Sequence, residues 1–297
     1  MGHGAQEPVF RASVETVTVD VAVTRGGSAV AGLTARNFRV RDNGVPQVVD
    51  RLLRDDVPLD LMLVFDTSSS LSDAGVRVLA DSAEALLEAL GADDRVGVVT
   101  FSESVNVRVP LTPQHERVRT ALRARTSAGP TAWRDAVFVA TQLLEPRADA
   151  RRVILLLTDG RDTSSWMLPH QIADVVRRSG VVLHAIARGA QQVRRDGRDL
   201  TSSFATPGDR AEAMPSGLFG ELGAVVAAGG GRLWEVDADT GLKARFLEAL
   251  DELRARYLVS YVVDGPAAPG WHDVSVTLVG VRGDVRARPG YWVEGSR

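Results

Sequence analysis

No cysteine occurs in this chain of 297 residues, which excludes disulfides, thiol catalysis and zinc sites built on thiolates. A dominant charge is missing too. The 35 Lys and Arg stand against 38 Asp and Glu, a formal net charge of −3, so there is no electrostatic footprint for nucleic acid. The arginines are spread along helix faces instead of gathering in a block. Although 44% of the residues are hydrophobic, no run approaches the roughly 18–20 apolar residues of a membrane helix. There is no internal repeat and no low-complexity tract. A Gly-x-x-x-x-Gly-Lys-Ser/Thr phosphate loop is absent, and Gly229-Gly230-Gly231 precedes a strand, where it reads as a helix C-cap and turn.

What is present changes character along the chain. Residues 1–11 read as a disordered or vector-derived lead without the charged head and apolar core of a signal peptide. A removed signal peptide would make the protein secreted or periplasmic. From about 12 to 54, Val17, Val19, Val21 and Val23 alternate with polar residues as in a half-buried strand. Asp42-Asn43-Gly44 is a hairpin signal between Phe38–Val40 and a strand over Val45–Val49, and Pro46 argues that this strand lies at an edge or starts after the proline.

From residue 58 strands and helices alternate. Leu59–Phe65 is a continuous apolar run, as in a parallel strand buried on both faces. A helix is predicted over 71–91, strands over 95–101 and 105–109, and helices over 114–124 and 133–144. A strand at 152–157, a helix around 172–178 and a strand at 181–186 follow. Residues 188–215 lose all periodicity and read as a long functional or mobile loop. Helix, strand and helix resume at 218–228, 232–236 and 242–256. Strands return at 257–263, 272–278 and 285–288. The fold class is therefore α/β: a doubly wound, mostly parallel sheet over 58–256, with a small antiparallel β domain built from 12–57 and 257–293.

In such a sheet, ligands sit beyond the carboxyl ends of the strands. Asp66 ends the first α/β strand, and Ser68 and Ser70 follow in its loop. Asp159 stands in the same relation to its strand, within Leu157-Thr158-Asp159-Gly160, and Thr131 sits in a turn before a helix. Three loops at one sheet edge can thus bring together five oxygen-bearing side chains. Such ligands suit a hard cation such as Mg²⁺, with Mn²⁺ or Ca²⁺ as alternatives, and leave it short of negative charge. Singly, each residue reads as a helix cap or turn residue; jointly, in this order, they read as a cation site. Asp162, Trp133 and Trp166 lie within a turn of these positions and are candidates for a partner-contacting rim, with packing beneath the loops as the alternative for the tryptophans and a loop or cap role as the favoured one for Asp162.

The Asp-x-Ser-x-Ser of Asp66, Ser68 and Ser70, the Gly-x-Thr of Thr131 and the Thr-Asp-Gly of Asp159 resemble the von Willebrand factor type A (VWA) domain and its metal-ion-dependent adhesion site (MIDAS). Two flanking elements extend the likeness. Val30-Ala31-Gly32-Leu33-Thr34-Ala35-Arg36-Asn37-Phe38, with Tyr257–Tyr261 and Val285–Tyr291 in the tail, resembles a bacterial VWFA-related family. The resemblance implies that Ser68 and Ser70 bind the metal directly, that Asp66 and Asp159 act largely through water, and that Thr131 switches between the two modes. A protein partner would supply an Asp or Glu to complete the octahedron. It implies a non-enzymatic adhesion or scaffold module. The alternatives are a structural domain whose closed metal site ties loops together and a hydrolase using Ser68 or Ser70. For the latter, His115, His170, His184 and His272 are the available bases, and no Gly-x-Ser-x-Gly elbow accompanies the serines.

Overall fold

The computed structural model describes residues 15–54, 57–67, 73–123, 129–147, 150–188, 219–236, 241–263 and 268–294. Three sheets carry the fold. The central one has six strands in the order β11-β10-β9-β6-β7-β8: β6 (Leu59–Asp66), β7 (Arg95–Phe101), β8 (Val105–Thr112), β9 (Arg151–Thr158), β10 (Val182–Arg188) and β11 (Leu233–Val236). All neighbours pair in parallel except β8, which runs antiparallel to β7 at one edge.

The all-apolar register of β6 follows from helices on both faces. Leu59, Leu61, Leu63 and Phe65 pack with α1 (Asp73–Glu88), α2 (His115–Arg123) and α6 (Leu242–Ala255). Met62 and Val64 pack on the other side with α3 (Trp133–Leu143), α4 (Pro169–Ser179) and α5 (Gly220–Ala228). Each fully buried aliphatic side chain contributes about 1.5–3 kcal/mol. Strand order reverses between β6 and β9, so the loops after these two strands are neighbours. Asp66 and Asp159 occupy them.

The two antiparallel sheets interleave both ends of the chain. β1 (Glu15–Arg25) pairs with β12 (Tyr257–Val263) and β14 (Asp284–Ala287), and β5 (Val49–Leu53) pairs with β12. The other sheet runs β15 (Gly290–Val293), β13 (Gly270–Leu278), β3 (Phe38–Asp42) and β4 (Val45–Gln47). Val17, Val19, Val21 and Val23 of β1 meet Phe38, Val40, Val274 and Tyr291 in one shared core. Asn43 and Gly44 both have positive φ, 46° and 80°, as the two-residue hairpin between β3 and β4 requires.

The expected strand over Val45–Val49 is corrected: it is divided between the two sheets. Pro46 does lie on an edge strand, but the chain crosses from one sheet to the other at Val48, which is exposed, and β5 begins afterwards. β8 also runs three residues past Val109, and β15 was not anticipated. Of the predicted loop 188–215, only Arg188 is described, as the end of β10; the rest lies outside the described residues.

Candidate metal centre

Asp66 is the last residue of β6 and is 2% exposed. Its Oδ2 accepts a hydrogen bond of 3.2 Å from the hydroxyl of Thr158, the last residue of β9. The Thr158 hydroxyl in turn accepts from the Gly160 N–H at 3.1 Å, folding the Asp159 turn back toward Asp66. Asp159 Oδ1 accepts the Arg161 N–H at 3.0 Å.

The neighbouring loops are tied in series. Both the N–H and the hydroxyl of Thr67 donate to the Phe101 carbonyl at the end of β7, at 2.8 and 2.9 Å. The Ser102 carbonyl, one residue on, accepts the Ala132 N–H at 3.0 Å. The Thr131 carbonyl accepts the N–H groups of Thr163 and Ser164, and the Thr131 N–H donates to the Thr163 hydroxyl. The circuit therefore runs, through these hydrogen bonds and the backbone between them, from Asp66 to Thr158, along the chain to Thr163, and by Thr131, Ala132, Ser102, Phe101 and Thr67 back to Asp66. Asp66, Thr131 and Asp159 stand around it. Ser68 and Ser70 lie outside the described residues.

The donor set available is all oxygen. Within the described residues, neither the Thr131 hydroxyl nor Asp159 Oδ2 receives a hydrogen bond. No three His, Asp or Glu side chains gather as a metal cluster among the described residues, so an ion at this edge needs hydroxyl ligands. Two carboxylates with hydroxyls are a fitting set for a hard divalent cation.

Two of the three rim candidates are corrected. Trp133 is 1% exposed, because as the first residue of α3 it turns into the core beneath the sheet. Both oxygens of Asp162 are already bonded, to the backbone N–H and guanidinium of Arg134 and to the N–H and hydroxyl of Ser165. It is a brace between loops. Arg134 also reaches Glu221 at 3.0 Å; burial pushes the Glu221 carboxyl up against that pull. Trp166, by contrast, is 92% exposed. Its N–H and that of Met167 donate to Asp135 of α3, at 2.9 and 3.0 Å, which holds the loop while the ring projects. Sequence reasoning missed Asp135, Arg134 and Thr158. Only Thr158 carried a signal, as part of Thr-Asp-Gly.

Three of the four candidate histidine bases are engaged elsewhere. His115 lies against the Asp94 carbonyl, just before β7, at the opposite edge of the sheet. His184 is buried inside β10, its Nδ1 accepting the Arg232 N–H. His272, in β13, lies against Asp42 Oδ1 at 2.9 Å and the Ala268 carbonyl at 2.7 Å. His170 is exposed near the start of α4.

Among solved structures, one of proximal thread matrix protein 1 from the mussel byssus, described with a zinc-occupied MIDAS motif, matches with a TM-score of 0.54. It is 20% identical over 72% of this chain and 50% of that one. A second structure of the same mussel protein gives 0.53 at 17% identity with the same coverage. BatB from Bacteroides thetaiotaomicron matches at 18% identity and a TM-score of 0.48, over 65% of this chain and 98% of that one. No curated protein matches in sequence. The von Willebrand factor type A domain model matches residues 60–208, the span that holds the circuit of loops and the Asp66, Thr131 and Asp159 positions, and the chain belongs to that family.

Proposed function

We propose that the chain is a divalent-cation-dependent protein-binding module, whose metal is held by Asp66, Ser68, Ser70, Thr131 and Asp159 and captures a carboxylate of a partner. The observation that carries this reading is the hydrogen-bonded circuit bringing three motif loops to one sheet edge, with the Thr131 hydroxyl and one Asp159 oxygen unspent. Mg²⁺ or Mn²⁺ suits the all-oxygen set, with Ca²⁺ the alternative. Neutral hydroxyl ligands leave such an ion electrophilic, so that an Asp or Glu of a partner protein is attracted to it. Trp166, exposed beside this edge, would give the partner an aromatic contact.

The same reading divides the chain into a doubly wound VWA domain over 58–256 and a β-sandwich domain of 12–57 with 257–293. It takes the chain as non-enzymatic, since His115, His184 and His272 are occupied away from the circuit. It assigns a secreted or periplasmic location. No described helix is long and apolar enough to cross a membrane.

The test is Mn²⁺ binding by calorimetry and by water-proton relaxation. Wild type should take one ion, Asp66→Ala should weaken it at least about 100-fold with an unchanged circular dichroism spectrum, and added acetate should displace metal-bound water. Equal Mn²⁺ affinity in Asp66→Ala would overturn the site. Tight Mn²⁺ binding that acetate leaves untouched would favour the closed, loop-tying site instead.

A further inference from the structure

At the amino edge of the six-stranded sheet, where it meets β1, β12 and the segment after β14, lies a cavity of about 100 Å³. Thr18, Asp20, Arg147, Arg152, Gly180 and Arg288 are among its walls. That is room for several waters or one small polyatomic ion.

The charges around it do not balance. Arg151 and Arg256 share Asp20. Arg95 and Arg147 share Asp60, the former through both its oxygens. These pairs consume the nearby carboxylates. Arg152 and Arg288 form no ion pair with any described residue. The Leu144 carbonyl accepts from Arg152 at 3.4 Å, the Thr18 carbonyl accepts from Arg288 at 2.8 Å, and Arg288 Nε is buried with no hydrogen-bond partner.

Both guanidinium ends reach Gly180, which closes α4 with φ of 67°. A Cβ there would lie 2.6 Å from one terminal nitrogen of Arg288 and 3.2 Å from one of Arg152. Two cations thus converge on one wall, and the carboxylates nearest them, Asp20 and Asp60, are each already shared by two other arginines. Burial lowers the pKa of both arginines, and for Arg288 the charge of Arg152 lowers it further. Like charges at such a separation repel appreciably when partly desolvated.

We infer that this cavity is a binding site for a small oxyanion of the phosphate or sulfate class, gripped between Arg152 and Arg288. Planar guanidinium groups match such oxygens in pairs, and an ion there supplies the missing charge. The site is independent of the metal edge and would fix the β-sandwich strands against the VWA sheet.

Thermal melts of the full chain at constant ionic strength test it, with inorganic phosphate replacing chloride. Wild type should gain roughly 5 °C at phosphate about 100-fold above its dissociation constant. Arg152→Gln should lose most of that gain. In chloride alone it should melt no lower than wild type, because it removes a repelling charge and only one long hydrogen bond. Asp66→Ala in EDTA should keep the full phosphate response, which separates this site from the metal site. Should Arg288→Gln fail to fold, the wild-type titration and Arg152→Gln still decide. No phosphate-specific gain in wild type, or an unchanged gain in Arg152→Gln, overturns the inference.

Discussion

At the carboxyl edge of the six-stranded sheet, Asp66 accepts from the Thr158 hydroxyl and Asp159 from the Arg161 N–H, at the ends of two adjacent strands. At the amino edge, Asp60 and Asp20 are held by arginines on every described side-chain contact. One sheet therefore carries unspent acceptor oxygens above and surplus cations below. A carboxylate already neutralised by arginine has no electrostatic reason to attract a metal, whereas one bonded to neutral donors keeps its charge available. The contrast separates carboxylates that arginines tie into the fold from Asp159, whose Oδ2 receives no hydrogen bond from a described residue.

The sharpest way to break this comparison is to remove a carboxylate at each edge. Burial alone would raise the Asp20 carboxyl, but the Arg151 and Arg256 charges outweigh it and hold it below the ordinary value. Both arginine side chains are almost wholly buried. Asp20→Asn leaves two buried cations short of a partner and should cost about 3–5 kcal/mol of unfolding free energy. Asp159→Asn in metal-free buffer keeps an oxygen that can still accept the Arg161 N–H and should cost under about 2 kcal/mol. Urea titrations giving equal losses would contradict the division of roles.

The difference also explains what could be read from the sequence. The metal edge was legible because its residues come in short local motifs, each at a strand end recognisable from its own apolar run: Leu59–Phe65 before Asp66 and Leu155–Thr158 before Asp159. The helices and parallel strands were legible for the same reason, as local periodicity. The amino edge was not. Asp20, Arg151, Arg256 and Arg288 lie in distant stretches with no shared spacing, and only the pairing of β1 with β12 and β14 brings them together. Trp133 shows a smaller failure of the same kind. Its place beside Thr131 says nothing about which face of α3 it takes, and that is settled by the core beneath it. The break between β4 and β5 is likewise invisible in an apolar run that continues through Val48 and Val49.

Acid should act on the arginine-rich junction through His184. Burial, partly opposed by Glu252, lowers its pKa to about 3, against an ordinary value of 6.5. Its Nδ1 accepts the Arg232 N–H, so the neutral ring carries its proton on Nε2, 3.7 Å from Glu252. Between these two pKa values the unfolded chain binds the proton and the folded chain does not. Stability is therefore complete above about pH 6.5 and declines as pH falls toward 3, with roughly 2 kcal/mol lost by pH 5 from this group alone. Glu252, held low by Arg286 and Arg256 despite its burial, adds a further loss only at lower pH. His184→Gln should flatten the decline between pH 7.5 and 5. A slope unchanged in that variant would show that another group carries the acid response.

The smallest effect on stability belongs to the most conspicuous residue of the metal edge. Trp166 leaves almost all of its surface in water, while Asp135 holds its loop through the backbone and not through the ring. Trp166→Ala should therefore change unfolding free energy by no more than about 0.5 kcal/mol. In the proposed function this exposed indole is the aromatic contact offered to the partner. If it meets the partner, the same variant should leave Mn²⁺ affinity unchanged and weaken capture of a carboxylate-bearing partner by about tenfold. A loss of folding stability beyond 1 kcal/mol would instead place Trp166 with the structural residues, and the metal edge would then differ less from the arginine edge than its exposed ring suggests.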